Sequence, residues 1–204
     1  MRRFSFLAGA FLLVLAVPAS AGKFNKTLSI GDAAPTWDGL EGTDGKKHAL
    51  ADLKDKDAVV VVFTCNSCPV AAGYEDRIIA LAKAHADKVG VVAINVNTSK
   101  DDALPAMKVR ATKKKFPFPY LFDPSQEIAR KYGAKYTPEF FVLDKDRKVI
   151  YMGAMDDRGP PGEPKLKHVE AALTAVLASK KAPMSETSAA AGCSIKFKPA
   201  KREK

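Results

Sequence analysis

The sequence predicts an α/β domain with a mixed β-sheet flanked by helices. Ala58–Phe63 and Val89–Val96 are unbroken apolar, β-branched runs, which are typical of central strands buried on both faces. The segment between them has apolar residues at helical spacing, so the three segments form a strand–helix–strand unit with parallel strands. Glu139–Leu143 and Val149–Met152 flank a polar turn and indicate an antiparallel hairpin, which makes the sheet mixed.

Residues 22–56 precede the first buried strand and are rich in polar and turn-forming residues. The Asp-Gly pair at Gly45 predicts the tip of a hairpin, because glycine readily adopts the positive φ that a tight turn needs. We therefore expect an N-terminal hairpin extension of the sheet.

Helices are predicted in the connections between the strands. One runs from Cys68 to about Lys88, and a second covers Asp101–Thr112 with Pro105 tolerated in its first turn. Ser125 is the expected N-cap of a short third helix, which Gly133 ends. The last helix is predicted over residues 165–178, where apolar residues recur on one face.

The N-terminus is typical of a cleaved signal peptide, residues 1–21. Two arginines precede the apolar run Phe4–Val17, and Ala19-x-Ala21 offers a cleavage site. An uncleaved membrane anchor is the alternative, since the run is nearly long enough for a weak span. We expect cleavage, a periplasmic or secreted protein, one ordinary-sized domain over residues 22–179 and no stable membrane association.

The positive charge of the chain is concentrated at its C-terminal end. The 204 residues carry a net charge of +10, and seven Lys or Arg against two Asp or Glu lie from Lys180 onward. Residues 180–204 therefore read as a flexible basic tail, which contains Cys193. A nucleic-acid surface would place such residues on a folded face, so we expect no nucleic-acid partner.

Cys65 and Cys68 are separated by two residues and follow the strand Ala58–Phe63. If a helix begins at Cys65, the two thiols lie on one face, one turn apart, and can close or open a disulfide. The N–H groups and macrodipole of a helix N-terminus stabilise a thiolate. Pro69 fits the first turn, where its missing N–H costs little. The pattern predicts a redox couple in which Cys65 attacks a disulfide and Cys68 resolves the mixed disulfide.

Other uses of the cysteine pair fit less well. A structural disulfide would close a very small loop and gain little loop entropy. A zinc site needs further ligands, and the remaining candidates lack ligand spacing: His48, His85, His168 and Cys193. We expect no metal and no cofactor other than the redox-active disulfide. The third thiol, Cys193, is left open as an accessory redox thiol, a link to a partner or an unused residue.

These motifs resemble the thioredoxin-fold redoxin group, which contains thioredoxin-like disulfide reductases and alkyl hydroperoxide reductase/thiol-specific antioxidant proteins. The resemblance covers about residues 28–179 and rests on "FTCNSCP", on the approach "IGDAAPTWDGLEGTDGKKHALADLKDKDAVVVVF" and on "YTPEFFVLDKDRKVIYMGAMDD". The segment "AGCSIKFK" is similar to an ending of exported members. The resemblance implies a thioredoxin-like fold, thiol–disulfide oxidoreductase activity, disulfide or dithiol protein clients and an upstream thiol donor.

The resemblance also implies roles for residues far from the cysteines. Pro138 would be a cis-proline facing the disulfide, and the peptide at Thr137 would dock the backbone of an extended substrate. Thioredoxins have a buried acid beneath the cysteines, but Ala58–Phe63 has none. Glu139 is the first candidate for the proton acceptor of Cys68 and Glu75 is the second. For either, a solvated or ion-paired carboxylate is the alternative.

Two other functions remain as alternatives. In a peroxiredoxin-like peroxidase, a threonine stands three residues before the reactive cysteine, whereas Thr64 is adjacent to Cys65 and no proline precedes it. No matching motif anchors the arginines that such a site could use: Arg77, Arg110 and Arg147. In a Cu(I)-handling protein, the two thiolates would bind copper with help from Met152 or Met155, although methionine is more often packing.

Overall fold

The computed structural model of the chain describes residues 22–189 and 191–199. The predicted signal peptide, residues 1–21, lies outside the described residues. Within the described ranges, the helices are too short or too polar to cross a bilayer.

The described strands and α-helices follow one another in the order β1–β2–β3–α1–β4–α2–β5–α3–β6–β7–β8–α4–β9. The strands are β1 (Leu40–Gly42), β2 (Lys47–His48), β3 (Ala58–Phe63), β4 (Val89–Asn95), β5 (Tyr120–Phe122), β6 (Tyr136–Thr137), β7 (Glu139–Leu143), β8 (Val149–Gly153) and β9 (Cys193–Ser194). The α-helices are α1 (Pro69–Ala84), α2 (Leu104–Lys114), α3 (Glu127–Tyr132) and α4 (His168–Leu177). Short 3₁₀ turns lie at Leu50–Leu53 and Lys100–Asp102.

The main sheet has the strand order β2-β1-β5-β4-β3-β7-β8. The central strand β3 runs parallel to β4 and antiparallel to β7, so the predicted mixed sheet is confirmed. The hairpins β1–β2 and β7–β8 are both antiparallel, and Gly45 has a φ of +80° at the tip of the first, as expected. Strands β6 and β9 form a separate antiparallel pair.

Strand β3 is fully buried because both faces of the sheet are covered. Val59, Val61 and Phe63 lie in the cluster that includes α3, while Val60 and Val62 lie in the cluster that includes α1 and α4. Burying a valine side chain contributes roughly 1.5–3 kcal/mol relative to exposure. The strand is thus a firm base for the cysteine loop that follows it.

Helix α1 begins at Pro69, and Cys68 is its N-cap with an extended backbone. The predicted helix from Cys68 is therefore confirmed to within one residue at its start, whereas the condition that the helix begins at Cys65 is not met. A residue before proline is biased away from the α region, which explains why Cys68 stands outside the helix. Cys65 lies in the loop between β3 and α1, so the helix N-terminus favours Cys68 more directly than Cys65.

Helix α3 is capped by a residue that the sequence analysis did not select. Ser125 is not its N-cap; the N-cap position is Gln126, with a φ of +65°. The carboxylate of Asp123 accepts hydrogen bonds from the backbone N–H groups of Ser125, Gln126 and Ile128 at 3.0–3.1 Å. Gly133 ends the helix with a φ of +65°, as predicted.

The ends of the other helices also differ from the predictions. Helix α2 begins at Leu104 with Pro105 in its first turn, as expected, but the preceding residues form a 3₁₀ turn. Helix α4 begins at His168, three residues later than predicted.

The C-terminal segment packs on the domain, so the prediction of a flexible tail is wrong for much of it. Met152 N donates to Ser185 O at 3.1 Å, which attaches the segment to the edge strand β8. Strand β9 pairs with β6, and Ile195, 6% exposed, joins the core cluster that covers one face of the sheet. A tail that continues the sheet and the core belongs to the fold.

Candidate active site

Cys65 and Cys68 lie where β3 ends and α1 begins. The N–H of Thr64 donates to Ile94 O at 3.0 Å, which ties the end of β3 to β4. Both cysteines are only 2% exposed, and neither forms a disulfide in this structure. Cys68 Sγ accepts a hydrogen bond from the N–H of Ala71 at 3.4 Å, as an N-cap side chain does.

The peptide between Thr137 and Pro138 is cis, as expected, and it faces the two thiols. Thr137 Oγ1 lies 3.3 Å from Cys65 Sγ, and the carbonyl oxygen of Thr137 lies 3.2 Å from Cys68 Sγ. Thr137 is 1% exposed. The structure therefore brings together the four site residues that were selected from two distant parts of the chain.

The third thiol belongs to the same cluster. Cys193 Sγ lies 2.6 Å from Cys68 Sγ, and Cys193 is only half-buried. Cys193 packs on the small apolar cluster formed by Cys65, Cys68 and Ala71. The sequence left the role of Cys193 open because no local pattern connects it to residues more than a hundred positions away.

Asp102 supports the loop between the cysteines and was missed by the sequence analysis. Its carboxylate accepts hydrogen bonds from Asn66 N at 2.7 Å, Ser67 N at 3.0 Å, Ser67 Oγ at 2.6 Å and Ser99 Oγ at 2.8 Å. Asp102 is 1% exposed. A signal was available: the segment follows β4, and the carboxyl ends of two parallel neighbours such as β3 and β4 meet at one edge of the sheet.

The surroundings of the thiols shift their pKa values in opposite directions. Burial raises the pKa of Cys65, and the negative charge of Asp102 raises it further. For Cys68, burial is outweighed by the hydrogen bond with the Cys193 thiol and by hydrogen bonds with backbone N–H groups, so its pKa is lowered. The hydrogen bond to Cys68, together with burial, raises the pKa of Cys193 to about 11. In this conformation, Cys68 is the thiol most easily ionised.

Neither predicted proton acceptor contacts a cysteine. The Glu139 carboxylate accepts from Lys135 N at 2.7 Å and Tyr136 N at 3.0 Å, and burial raises its pKa. Glu75 pairs with Arg110 at 2.7 Å. Among the described hydrogen bonds of Cys68, the side-chain partner is Cys193, so the second thiol shares its proton with a thiol rather than with a carboxylate.

The residues considered for the alternative functions lie elsewhere. Arg77 pairs with Asp156 at 2.7 Å, Arg110 pairs with Glu75, and Arg147 donates to backbone carbonyls. Met152 and Met155 pack in the two large core clusters, apart from the cluster of the cysteines. Within residues 22–189 and 191–199, no group of three or more His, Cys, Asp or Glu has the arrangement of a metal site.

The sheet order, the Cys-x-x-Cys before a helix and the facing cis-proline define a protein of the thioredoxin fold. The fold is shared with the thioredoxin domain of a thiol–disulfide oxidoreductase from Bacteroides vulgatus, with a TM-score of 0.54 and 18% identity, covering 62% of this chain and 89% of that one.

Residues 29–173 match the Redoxin family, and the chain belongs to that family. It is 29% identical over 125 residues to the thiol–disulfide oxidoreductase ResA of Bacillus anthracis, which covers 60% of this chain and 68% of the relative. A solved structure of an uncharacterised conserved protein from Geobacillus kaustophilus is similar over more of the chain. The TM-score is 0.78 at 34% identity, with 86% of this chain and 96% of that one covered.

Proposed function

We propose that this chain is an exported thiol–disulfide oxidoreductase that exchanges a Cys65–Cys68 dithiol or disulfide with disulfide or dithiol clients. The observation that carries the proposal is the contact of both sulfurs with one residue, Thr137, beside the cis-proline. The named relatives among the thiol–disulfide oxidoreductases support the same activity. The chain is an enzyme of the oxidoreductase class.

The reductive half of the reaction uses the two thiols in turn. The Cys65 thiolate attacks a client disulfide, so that a Cys65–client disulfide forms and the other client sulfur leaves as a thiolate. The Cys68 thiolate then attacks Cys65 Sγ, which forms the Cys65–Cys68 disulfide and releases the second client thiolate. Each released thiolate takes up a proton, and the two electrons that reduce the client come from the dithiol. A thiol donor of the same compartment restores the dithiol.

The arrangement around Cys68 suits the resolving step. Its sulfur stands at the N-cap of α1, where the N–H of Ala71 stabilises negative charge. Its lowered pKa provides a thiolate for the attack on Cys65. Burial raises the pKa of Cys65 in this conformation, so Cys65 becomes the attacking thiolate when its cover is removed.

Client docking is assigned to Thr137 and Pro138. Strand β6, which ends at Thr137, pairs with the short antiparallel strand β9. The same edge of β6 would bind an extended client segment in place of β9. An extended client segment on this edge brings its cysteine to the two thiols.

Export follows from the predicted signal peptide, residues 1–21, and places the enzyme where disulfides persist. Cell fractionation and mass spectrometry of the mature N-terminus test it. A mature chain that begins at Gly22 in the periplasm or medium is expected. A full-length chain in the cytoplasm contradicts it.

Reduction of insulin disulfides by the full chain, with dithiothreitol as electron donor, tests the activity. Cys65→Ser removes the attacking thiol, so activity is expected to fall to the background rate. Full activity of a folded Cys65→Ser variant overturns the assignment. The reduction potential of the Cys65–Cys68 couple then shows whether the enzyme reduces or oxidises its clients, since reducing proteins of this kind lie at about −270 mV and oxidising ones at about −120 mV.

A further inference from the structure

We propose that Cys193 is a third redox-active thiol, which takes over the disulfide from Cys65 by forming a Cys68–Cys193 bond. In the same state its strand, β9, occupies the edge beside the cis-proline where a client docks. This inference rests on the proposed function and extends it from two cysteines to three.

The first support is the distance between the sulfurs. Cys193 Sγ and Cys68 Sγ are 2.6 Å apart, whereas an S–S bond measures about 2.05 Å. A small movement of the two sulfurs towards each other would therefore bring them to disulfide distance. Cys68 has two neighbouring thiols rather than one.

The second support is the backbone of the C-terminal strand. Cys193 pairs with Thr137 and Ser194 pairs with Tyr136 in an antiparallel register. Ile195 N donates to Lys135 O at 2.8 Å and extends the pairing. The strand thus lies where an extended client would add to β6, with a cysteine opposite Thr137.

The third support is a set of contacts, centred on the buried Gln126, that fix the segment after Cys193. Gln126 is fully buried; its Nε2 donates to Lys196 O at 2.9 Å, and its Oε1 accepts from Lys198 N at 2.7 Å. The guanidinium of Arg130 lies over the ring of Phe197, 4.4 Å from its centroid. A buried amide that pairs with two backbone groups of this segment shows that the fold is built to receive it.

Gly192 shows how closely the strand approaches the site. A Cβ at this position would clash with the carbonyl oxygen of Thr137 and would lie 3.2 Å from the nitrogen of Pro138. A side chain therefore cannot be accommodated next to Cys193 without moving the strand away from the cis-proline.

The transfer step is balanced without any further reactant. After a client has been reduced, the Cys193 thiolate attacks Cys68 Sγ in the Cys65–Cys68 disulfide. The Cys68–Cys193 bond forms, the Cys65–Cys68 bond breaks, and Cys65 leaves as a thiolate that takes up the proton lost by Cys193. The chain holds one disulfide before and after the step.

The change in charge on Cys68 favours this step. The pKa of Cys193 is raised by the hydrogen bond to Cys68, by burial and by the negative charge of Cys68. Once Cys68 is in a disulfide, it carries no charge, and the first and third of these causes disappear. Cys193 then ionises more easily and becomes a better nucleophile.

The transfer also changes which sulfur an electron donor meets. Cys65 and Cys68 are each 2% exposed, whereas Cys193 is half-buried. A thiol donor attacks Cys193 Sγ in the Cys68–Cys193 disulfide, and Cys68 leaves as a thiolate at the N-cap of α1. The third thiol carries the disulfide from a buried position to an accessible one.

Disulfide mapping of the full-length mature chain tests the proposal. The reduced protein is oxidised with one equivalent of oxidised glutathione, quenched in acid, alkylated under denaturing conditions and digested for mass spectrometry. We expect the Cys68–Cys193 peptide to be the main cross-link, with Cys65 alkylated.

The matched control moves the third thiol by one residue. In Cys193→Ser/Ser194→Cys, the thiol count is unchanged, but the new thiol lies on the opposite side of the strand. The yield of a cross-link from the tail to Cys68 is expected to fall about tenfold or more, because the thiols lose their high effective concentration.

The outcomes separate this inference from the proposed function. A Cys65–Cys68 peptide alone, in a protein that reduces insulin, overturns the role of Cys193 and leaves the dithiol mechanism standing. Equal cross-linking of the wild type and the control also overturns it, since position would then not matter. Absence of any cross-link together with absence of insulin reduction overturns both.

Discussion

The cysteine loop has two flanks that are held in different ways. On one flank, the buried carboxylate of Asp102 accepts four hydrogen bonds from three residues, two of them between the cysteines. On the other flank, the two-residue strand β9 covers the sulfurs and leaves Cys193 half-buried. The first flank fixes the shape of the loop, and the second covers the reacting atoms.

The difference in the kind of contact indicates which flank opens. A hydrogen bond to a charged group contributes about 1.5–3 kcal/mol, whereas an ordinary one contributes about 0.5–1.5 kcal/mol. Under the proposed function, we therefore expect the Asp102 flank to stay closed while β9 exchanges with a client that offers the same backbone bonds. The comparison teaches that a redox site can be rigid where it holds its cysteines and replaceable where it meets its substrate.

The largest expected effect comes from removing the resolving sulfur, Cys68 Sγ, which lies 2.6 Å from Cys193 Sγ of the tail flank. Cys68→Ser leaves Cys65 without its resolving thiol, so turnover with insulin is expected to fall to background. The Cys65–client disulfide should accumulate, because nothing in the Cys-x-x-Cys can displace the client. Non-reducing electrophoresis and mass spectrometry measure the adduct.

The control for this experiment is Cys65→Ser/Cys68→Ser, which lacks both thiols and should trap no client through the loop. Recovery of no adduct from folded Cys68→Ser would falsify the resolving role of Cys68.

Gly192→Ala should open the tail flank while leaving all three thiols in place. The added Cβ would clash with the carbonyl oxygen of Thr137, so β9 is expected to leave β6. Alkylation of Cys65 by iodoacetamide should then become about tenfold faster, because a thiol that gains exposure loses the desolvation that raises its pKa. Mass spectrometry of the Cys65 peptide measures the rate.

Gly159→Ala is the matched control, since a Cβ there meets its nearest atom, Tyr74 Oη, at an ordinary 3.7 Å. The control should alkylate at the wild-type rate. A Gly192→Ala protein that also alkylates at that rate contradicts the view that the tail covers Cys65.

Asp102→Asn should weaken the rigid flank and change the charge beside Cys65. Loss of charge-assisted bonds is expected to lower the free energy of unfolding by about 1–3 kcal/mol at neutral pH. Because the charge of Asp102 raises the pKa of Cys65, its removal should lower that pKa. Urea unfolding and the pH dependence of thiolate absorbance measure the two effects.

The stability that the Asp102 carboxylate contributes should decrease at acid pH. The hydrogen bonds of the Asp102 carboxylate outweigh burial and lower its pKa in the folded state. Its stabilisation is present above the unfolded pKa and is lost as the pH falls through the folded one. Asp102→Asn should lose that acid dependence, whereas Asp101→Asn, at an exposed neighbour, should keep it; equal behaviour of the two variants argues against the assignment.

The smallest effect is expected at Glu139, which lies near the tail flank without contacting a thiol. Burial raises the pKa of the Glu139 carboxyl above 4.5, so the folded state favours the protonated form. The free energy of unfolding therefore falls as the pH rises from the unfolded pKa through the folded one. Glu139→Gln should remove this slope and keep the bonds from Lys135 N and Tyr136 N. Unfolding at a series of pH values measures it, and an unchanged slope contradicts the account.

Insulin reduction by Glu139→Gln also tests the earlier hypothesis that Glu139 takes the proton of Cys68. The structure gives Cys68 a thiol partner instead, so activity near the wild-type rate is expected. A large loss of activity with intact folding would restore the carboxylate hypothesis.

The elements that the sequence predicted well are those with strong local signals. Ala58–Phe63 and Glu139–Leu143 have the predicted bounds because each is an apolar run between polar turns. The cis-proline was expected from the family resemblance, and in the structure Pro138 is cis and lies beside the thiols. Burial of β3 on both faces followed from its lack of alternation.

The features that were missed depend on contacts between distant residues. Asp102 acts on residues 66 and 67, which follow the neighbouring strand β3, and its own sequence surroundings suggest only a helix start. Cys193 lies in a segment with almost no apolar pattern, and its place is set by Gln126 and β6. Ser125 was selected as an N-cap by its type, but the carboxylate of Asp123 reaches three N–H groups at once.

The bond pattern of Gln126 has a consequence for the order in which the molecule is completed. Its side chain bridges Val96 O, which lies before it in the chain, and Lys196 O, which lies seventy residues after it. During synthesis from the N-terminus, the sheet, the cis-proline and both loop cysteines are therefore all made before the segment that closes over them. The cover of the dithiol is therefore the last part of the fold that a chain appearing N-terminus first can complete.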